Sequence, residues 1–363
     1  MSGTFPAVFL FYAVFRGLAI IRLLRDGALS RAAPTIKMLG SRLGMMGIDM
    51  GKTALFGAAG AIGKSIGSAL RLQGNPYRVV GRNRQQLEKS FGSDPLAEIV
   101  TWNPEDPASV RSAARGVETL IYLVGVPYDQ FQLHPILIRK TLDAAVAEGV
   151  KRLVLIGTVY PYGRPTTPLV TEAHPRNPHT FKGQMRKAQE DTLLKVHNEG
   201  KIQGTILRLP DFYGPDVDAS FLHLVFKAAA GGGTADMVGP IDLPHEFVYV
   251  PDVGPVVLAL AGKPEAYGRW WNFAGVGAIT QREIVNQAFA LAGRKPKLRV
   301  AGKTMLRLIG LFKPFMRELV EMHYLLTTPV LMDDTALHQL LGEVHKTSYA
   351  DGIRATLEAS RAP

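Results

Sequence analysis

Three glycines, Gly57, Gly60 and Gly63, recur at every third position of the sequence, directly after an apolar run. A dinucleotide needs this spacing, because the first glycine permits a tight turn and the second lets the pyrophosphate approach bare backbone. The third lets a helix pack closely on the preceding strand, and the start of that helix points unpaired N–H groups at the phosphates. The spacing therefore predicts a dinucleotide-binding turn; its alternative is an ordinary connection between strand and helix.

The segments on either side of the glycine turn have the patterns that this role requires. Residues 53–56 are typical of a short buried strand, and residues 61–72 place Ile62, Ile66 and Leu70 on one face of a helix. Strand and helix patterns then alternate, which predicts an α/β fold with a Rossmann-type doubly wound parallel sheet. Such sheets bind ligands beyond the carboxyl ends of their strands. The predicted cofactor contacts are Gly57, Ala59, Gly60, Ala61, Ile62, Gly63, Asn103, Val124 and Gly125.

The residues after the second predicted strand distinguish an NAD site from an NADP site. An NAD site usually carries a carboxylate here for the ribose 2′-hydroxyl, whereas an NADP site uses arginine for the 2′-phosphate. No acidic residue occurs between Gly74 and Gln86, but Arg82 and Arg84 do. The sequence therefore favours NADP over NAD as the cofactor, unless both arginines are only solvated loop residues.

The composition is that of an ordinary globular protein and excludes several kinds of site. The 363 residues are 47% hydrophobic and 20% charged, which suits one large α/β domain or two domains that share a cleft. No cysteine is present, which excludes disulfides, thiolate metal sites and cysteine nucleophiles. The nine histidines lack the spacing of a ligand set, so we predict no metal. The net charge of +11 comes without long basic runs, which favours a phosphate ligand over nucleic acid.

Residues 1–50 form an apolar and basic extension ahead of the first predicted strand. Residues 5–24 have the length to span a bilayer, but Arg16 and Arg22 within them make a spanning helix unfavourable. Three interpretations stay open: a segment anchored at a membrane surface, an arginine-rich targeting presequence, or an extension from an upstream start codon. The last is suggested by three methionines close to the first strand, Met45, Met46 and Met50. We expect a cytoplasmic protein whose membrane association, where it occurs, uses residues 5–24.

Several motifs occur together in the order typical of one enzyme superfamily. They are the glycine turn, Leu123-Val124-Gly125, Gly157-Thr158 through Tyr162-Gly163, Arg208 through Phe212-Tyr213-Gly214-Pro215, and Phe247 through Val253. On these motifs the chain resembles the extended or atypical short-chain dehydrogenase/reductases, often called NAD-dependent epimerase/dehydratases. The resemblance covers residues 51–360. It implies a Rossmann domain over residues 51–210 and a smaller, partly interleaved substrate domain over residues 211–363.

The resemblance also implies a catalytic Ser or Thr after the fifth strand and a Tyr-x-x-x-Lys pair on the next helix. Thr158 matches the first position, but Lys182 stands where the tyrosine is expected and Arg186 where the lysine is expected. At i and i+4, these two side chains share a helix face and can both point toward the nicotinamide ribose. We predict Thr158 as the group that positions the substrate oxygen and Lys182 as the proton donor. Arg186, which stays charged, would hold ribose hydroxyls or a substrate anion.

Other tyrosines are weaker candidates for the proton donor or for substrate contacts. Four of them fall on loops predicted to rim the cleft: Tyr128, Tyr160, Tyr162 and Tyr213. Aromatic loop residues more often pack or form the walls of a substrate site. A further alternative for Lys182 and Arg186 is a solvated helix face in a protein that has lost its oxidoreductase chemistry.

The second half of the chain carries mainly structural signals. Asp252 is predicted as the N-cap of a helix over residues 253–261, and Thr280 with Glu283 as a capping box. Residues 305–326 are strongly apolar and contain Pro314, which should kink or split a helix. This segment could be a lid over the substrate, a membrane-facing patch or part of the core.

The sequence therefore predicts an NADP-dependent oxidoreductase or epimerase-like enzyme. Its substrate would be a small carbonyl or hydroxyl compound that reacts by hydride transfer, with NAD as the alternative cofactor. Lys182 in place of tyrosine suggests the alternative function, a catalytically silent NAD(P)H-binding sensor, regulator or scaffold. We expect no nucleic-acid partner, and a homodimer stays open.

Overall fold

The computed structural model describes residues 50–218, 220, 222–312 and 314–361. The apolar basic extension, apart from Met50, lies outside the described residues. The three interpretations of that extension, and the predicted membrane association of residues 5–24, therefore remain predictions.

A parallel seven-stranded sheet forms the centre of the fold. Its strands, in spatial order, are β10 (Trp270–Asn272), β6 (Gln203–Leu209), β5 (Arg152–Thr158), β4 (Thr119–Tyr122), β1 (Thr53–Phe56), β2 (Tyr77–Gly81) and β3 (Ala97–Thr101). Each neighbouring pair in it runs parallel. The predicted doubly wound Rossmann sheet is thereby confirmed. The order reverses between β1 and β4, which opens a crevice at their carboxyl ends where such sheets bind ligands. The other described strands, outside this sheet, are β7 (Asp211–Tyr213), β8 (Ala235–Val238), β9 (Pro244–Tyr249), β11 (Ala278–Thr280) and β12 (Leu298–Ala301).

Helices cover both faces of this sheet. The described helices are α1 (Ala61–Leu72), α2 (Arg84–Phe91), α3 (Pro107–Ala114), α4 (Leu133–Ala147), α5 (Phe181–Asn198), α6 (His223–Gly231), α7 (Val250–Ala261), α8 (Gln281–Leu291), α9 (Lys303–Gly310), α10 (Pro314–Met322), α11 (Tyr324–Thr327), α12 (Thr335–Leu341) and α13 (Tyr349–Arg361). Helices α1 and α7 pack on one face, and α3, α4 and α5 pack on the other. None of the helices in these described ranges is long and apolar enough to cross a membrane.

The first strand shows why these segments read as continuous apolar runs. Leu55 belongs to the core on the α1 side, whereas Ala54 and Phe56 belong to the core on the α3–α5 side. All three are fully buried, because a parallel sheet between two helical layers exposes neither face. The strand therefore lacks the polar alternation of a half-exposed strand.

The second half of the chain both extends the central sheet and builds its own layer. Strand β10 pairs with β6 at one end of the central sheet, and α7 packs against α1. The remaining strands form a three-stranded sheet, β11-β9-β7, and a two-stranded pair, β12-β8. The domain boundary at residues 210 and 211 remains a prediction.

Two of the local predictions are confirmed and one is wrong. Thr280 and Glu283 form a capping box at the start of α8. Pro314 splits the apolar segment, since α10 begins there after α9 ends at Gly310. Asp252, however, is not an N-cap: α7 already begins at Val250, because the proline that follows suits the first turn of a helix. The Asp252 carboxylate instead accepts hydrogen bonds from the backbone N–H and hydroxyl of Thr347.

Candidate functional site

The glycine turn between β1 and α1 brings backbone unusually close to backbone. Gly57 has φ +91°, and a Cβ built there would lie 2.7 Å from Cα of Val124 at the end of β4. A Cβ at Gly63 would lie 2.1 Å from the carbonyl oxygen of Ala58. A real side chain fits at neither position, so the turn and the close helix packing both require glycine.

The outer side of the same turn is open. A Cβ at Gly60 or at Gly125 would meet nothing within 4 Å. Gly60 is the N-cap of α1, no side chain caps that helix, and its first turn carries no acidic residue. The first N–H groups of α1 therefore have no capping side chain and no acidic residue in their own turn, and they lie beside the open space at Gly60. This arrangement suits a pyrophosphate, so the residues fit a dinucleotide.

The two arginines after β2 differ in their surroundings. The guanidinium of Arg84 donates to the Glu88 carboxylate at 2.8 Å, one helical turn ahead on α2. Arg82 is exposed and makes no ion pair with any described residue. Between them Asn83 caps α2 by accepting from the backbone N–H of Gln86. Of the two cations, Arg82 is therefore the one available for a 2′-phosphate.

The other predicted cofactor contacts lie along the same edge of the sheet. Ala59, Ala61 and Ile62 are partly exposed in the turn and at the start of α1. Val124 is buried against Gly57. Asn103 is exposed after β3, but its side-chain oxygen already accepts from the backbone N–H of Glu105.

Thr158 lies at the carboxyl end of β5, next to a pair of tyrosines. Its hydroxyl oxygen accepts from the backbone N–H of Tyr160 at 3.3 Å. The Tyr160 hydroxyl in turn lies 2.7 Å from the Tyr128 hydroxyl. Phe131 stacks on the Tyr160 ring and meets the Tyr128 ring edge-on. The structure thus brings three of the predicted site residues into one hydrogen-bonded group.

Burial keeps both phenols of this pair protonated. Desolvation raises the pKa of Tyr128 to about 12 and the pKa of Tyr160 well above its usual value. The negative charge of Asp211 acts in the same direction on both. Two neutral phenols at hydrogen-bonding distance can hold and pass a proton, and one of them can donate to a bound oxygen.

Lys182, predicted as the proton donor, is held in an ion cluster. Its amine donates to Glu318 at 2.6 Å and to Glu321 at 2.7 Å, both on α10. The Lys182 side chain is only 1% exposed. The amine also lies 5.5 Å from the ring centroid of Tyr128 and 5.7 Å from that of Phe131. Lys182 therefore reaches the tyrosine pair, but two of its three N–H groups are already directed at carboxylates.

Arg186, one turn further along α5, is buried beneath the site. Its guanidinium donates to the carbonyl oxygen of Ile156 and faces Nδ1 of His134 at 3.3 Å. Because arginine can only donate, His134 must accept through Nδ1 and carry its proton on Nε2. Desolvation and the nearby guanidinium lower the pKa of His134 to about 2, so this histidine is neutral. In this arrangement Arg186 ties the end of β5 to α4 and α5.

The other two predicted tyrosines are packed away from the cleft. The Tyr162 hydroxyl donates to the Asn272 side chain at 2.8 Å, and its ring is fully buried. Tyr213 lies in strand β7 rather than on a loop, among the rings of Phe226, Tyr249 and Tyr349. The loop prediction for Tyr213 was wrong because the short strand pairs with β9 and turns the ring into the core of the second half.

Sequence reasoning missed several residues that shape the site. The Asp211 carboxylate accepts a hydrogen bond from Nε2 of His245 at 2.7 Å, although α6 and β8 separate these residues in sequence. Glu318 and Glu321 are three residues apart and share one face of α10, but this spacing does not show which cation they bind. No local pattern pairs them with Lys182. Within the described ranges, no group of three or more His, Asp or Glu side chains could hold a metal ion.

Comparison with known proteins decides the family. The model of the NAD dependent epimerase/dehydratase family matches residues 54–274. The chain belongs to this family. Its members are NAD(P)-dependent oxidoreductases and epimerases, which agrees with the glycine turn and the sheet. The suspected resemblance to the extended short-chain dehydrogenase/reductases is confirmed.

Individual family members are similar at lower identity. A dTDP-6-deoxy-L-talose 4-dehydrogenase (NAD(P)(+)) from Kitasatospora kifunensis is 25% identical over 228 residues, which cover 59% of this chain and 71% of the relative. A dTDP-glucose 4,6-dehydratase double mutant from Streptomyces venezuelae, solved with NAD, superimposes with a TM-score of 0.71 at 20% identity, covering 85% of this chain and 97% of that one. A UDP-glucuronic acid 4-epimerase from Bacillus cereus, also with NAD, gives a TM-score of 0.69 at 18% identity, covering 85% and 98%. At these identities the two solved structures support the fold of this epimerase/dehydratase family member.

Proposed function

We propose that this family member is an NADP(H)-dependent oxidoreductase or epimerase that acts on a small carbonyl or hydroxyl substrate. The observation that carries the proposal is the open cradle at Gly60, which faces the uncapped start of α1. Arg82, exposed and without an ion pair among the described residues, supports NADP over NAD. NAD is the alternative, because the relatives include proteins solved with NAD.

The tyrosine pair takes the place of the missing catalytic tyrosine in this proposal. When bound, the nicotinamide supplies or accepts a hydride. The Thr158 oxygen already accepts from the backbone N–H of Tyr160, which leaves the Thr158 hydroxyl proton to donate to the substrate oxygen. Tyr160 donates the proton that the developing alkoxide needs and takes the Tyr128 proton through the 2.7 Å contact between the two hydroxyls. Tyr128, which is partly exposed, then regains a proton from water. Lys182, whose amine donates to Glu318 and Glu321, takes no part in this proton transfer.

The substrate class that we propose is a nucleotide-linked sugar. The relatives named above are enzymes of dTDP- and UDP-linked sugars. A sugar ring offers the secondary hydroxyl or carbonyl on which hydride transfer acts. The formal charge of +11 is also suited to a substrate with two phosphates.

A turnover assay tests the proposal. The full chain is incubated with NADP⁺ or NADPH and a panel of dTDP- and UDP-sugars, and the nicotinamide absorbance and sugar products are followed. Substrate-dependent formation of a product, or a change in nicotinamide redox state, supports the proposal. Tight NADPH binding without turnover, both with this panel and with simple aldehydes and ketones, would contradict the proposal.

One observation favours a second function, a nucleotide-binding sensor without turnover. The position of the catalytic tyrosine is occupied by Lys182, and two carboxylates of α10 hold its amine. An ion cluster of this kind stabilises the contact between α10 and α5 whether or not a reaction occurs. A protein partner whose binding depends on NADPH, found together with absent turnover, would support this function.

A further inference from the structure

Helices α9 and α10 form a helical hairpin whose tip is apolar and exposed. Leu311 is 76% exposed and Phe312 86% exposed in the turn between the two helices. Met305 and Leu308 on α9 are also more than half exposed. The hairpin is closely packed, since a Cβ at Gly310 would lie 3.1 Å from the Cα of Arg317. These side chains therefore leave apolar surface exposed at the turn and along α9, and soluble proteins rarely leave such a surface uncovered.

The surroundings of this tip are basic. Residues 284–317 contain no Asp or Glu. Lys303, Arg307 and Arg317 are exposed on the hairpin itself. The Lys303 and Arg307 side chains make no ion pair with any described residue. The cations in this stretch of sequence are Arg294, Lys295, Lys297, Arg299, Lys303, Arg307, Lys313 and Arg317.

The acidic residues of the hairpin point the other way. Glu318 and Glu321 are directed at the buried Lys182 amine. Leu319 and Met322 are buried on α10. The inner side of α10 is thus anchored to the fold, while cations and apolar side chains remain on the outer side and at the tip. A helix that is merely solvated would be polar on its outer side, whereas this hairpin exposes apolar side chains there.

We propose that the α9–α10 tip inserts into the surface of a membrane that contains anionic lipids. Leu308, Leu311 and Phe312 would enter the boundary between headgroups and acyl chains, and Lys303 and Arg307 would contact the anionic headgroups. Charge complementarity favours lipid over a second copy of this chain, because two copies would bring together two surfaces of the same positive charge. The membrane contact lies in the described second half of the chain and is distinct from the one predicted for residues 5–24.

The absence of cysteine allows a direct test in the full chain. Phe312→Cys creates a unique thiol, which is labelled with a nitrobenzoxadiazole fluorophore. Leu72→Cys, at a position 73% exposed at the end of α1, is the matched control. Vesicles of phosphatidylcholine with phosphatidylglycerol should shift the emission of the probe at position 312 to shorter wavelength. Pure phosphatidylcholine vesicles should shift it much less, and the probe at position 72 should not respond.

A second pair of variants separates the apolar and the charged contributions. Leu311→Ser with Phe312→Ser should lower binding to anionic vesicles about tenfold, because the inserted surface is lost. Lys303→Gln with Arg307→Gln should lower binding to anionic vesicles and reduce the salt dependence of that binding. Both should leave thermal unfolding unchanged, since the side chains are exposed. Vesicle binding with a silent probe at position 312 would overturn the proposal and assign binding to another segment. A probe shift that grows with protein concentration without vesicles would overturn it in favour of self-association.

Discussion

The Lys182 amine lies 2.7 Å from Oε2 of Glu321, and the other oxygen of that carboxylate accepts the backbone N–H of Lys182 at 2.9 Å. One glutamate therefore satisfies both a buried cation and an N–H group in the first turn of α5, which lacks an intrahelical partner. The contact joins α10 to the helix that carries the expected catalytic pair. The position of Lys182 thus depends on a segment 139 residues further along the chain.

Replacing Lys182 with Met should lower the free energy of unfolding by about 2 kcal/mol, because Glu318 and Glu321 lose their shared cation. The value is below that of a fully buried pair, since the two carboxylates are 22% and 27% exposed. Urea denaturation measures this loss in the free energy of unfolding. Lys187→Met is the control, because Lys187 pairs with Asp191 on the exposed side of the same helix and should cost less than about 0.5 kcal/mol. Equal losses would show that the buried cluster contributes no more than a surface pair.

Two glycine substitutions should separate folding from cofactor binding. Gly60→Ala should leave the free energy of unfolding nearly unchanged, because the added Cβ meets nothing within 4 Å. The same methyl group would enter the space for the phosphates, so NADPH binding should weaken about tenfold or more. Gly63→Ala should destabilise the fold itself, since its Cβ would lie 2.1 Å from a carbonyl oxygen. Thermal unfolding and calorimetric titration measure the two effects. Unchanged NADPH affinity in the Gly60 variant would place the phosphates elsewhere.

The phenol at Tyr160 should be required for turnover. Tyr160→Phe removes the hydroxyl that contacts Tyr128 and should lower kcat about 100-fold or more, as expected when a general acid is lost. Tyr267→Phe is the control, because the Tyr267 hydroxyl donates to Ala261 at the end of α7. Steady-state kinetics on a substrate found in the sugar panel provide the test. If Lys182→Met abolishes turnover while Tyr160→Phe does not, the original assignment of Lys182 as the proton donor is favoured.

Glu246 should make stability fall as the pH rises. Burial raises the pKa of its carboxyl to about 7, against 4.5 in the unfolded chain. Between these values the folded state holds a proton that the unfolded state has lost, so the free energy of unfolding decreases by up to about 3 kcal/mol from pH 4.5 to 7. Glu246→Gln keeps an acceptor for the N–H of Met332 and should remove this decrease. His245 stays in both proteins, so the difference between their pH profiles reports Glu246. Parallel profiles would contradict the assignment.

The sequence was sufficient for the sheet and for the phosphate turn because both depend on local patterns. The glycine spacing and the apolar run before it are constrained by contacts between neighbouring elements, such as Gly63 with Ala58. The Thr280 capping box is equally local. The N-cap prediction for Asp252 was wrong because α7 already begins at Val250, and the Asp252 carboxylate accepts instead from Thr347, which is distant in sequence.

The catalytic end of the cleft was less predictable because its contacts are long-range. Lys182 meets Glu318 and Glu321, and Arg186 meets His134 on another helix. Nothing in the sequence near these residues records those pairings. The sequence could show that the expected pair was replaced, but only the packing of α10 and α4 shows what the replacements touch.

Calorimetric titration of the full chain with NADPH and with NADH shows whether Arg82 selects the cofactor. We expect NADPH to bind more tightly than NADH, and the Arg82→Ala variant to lose about 30-fold in NADPH affinity, as expected for one arginine–phosphate contact. NADH affinity should stay the same in that variant, and Arg84→Ala should change neither, because Arg84 is paired with Glu88. Tighter binding of NADH, or NADPH binding that does not change in Arg82→Ala, would contradict the assignment of Arg82 to the 2′-phosphate of NADP.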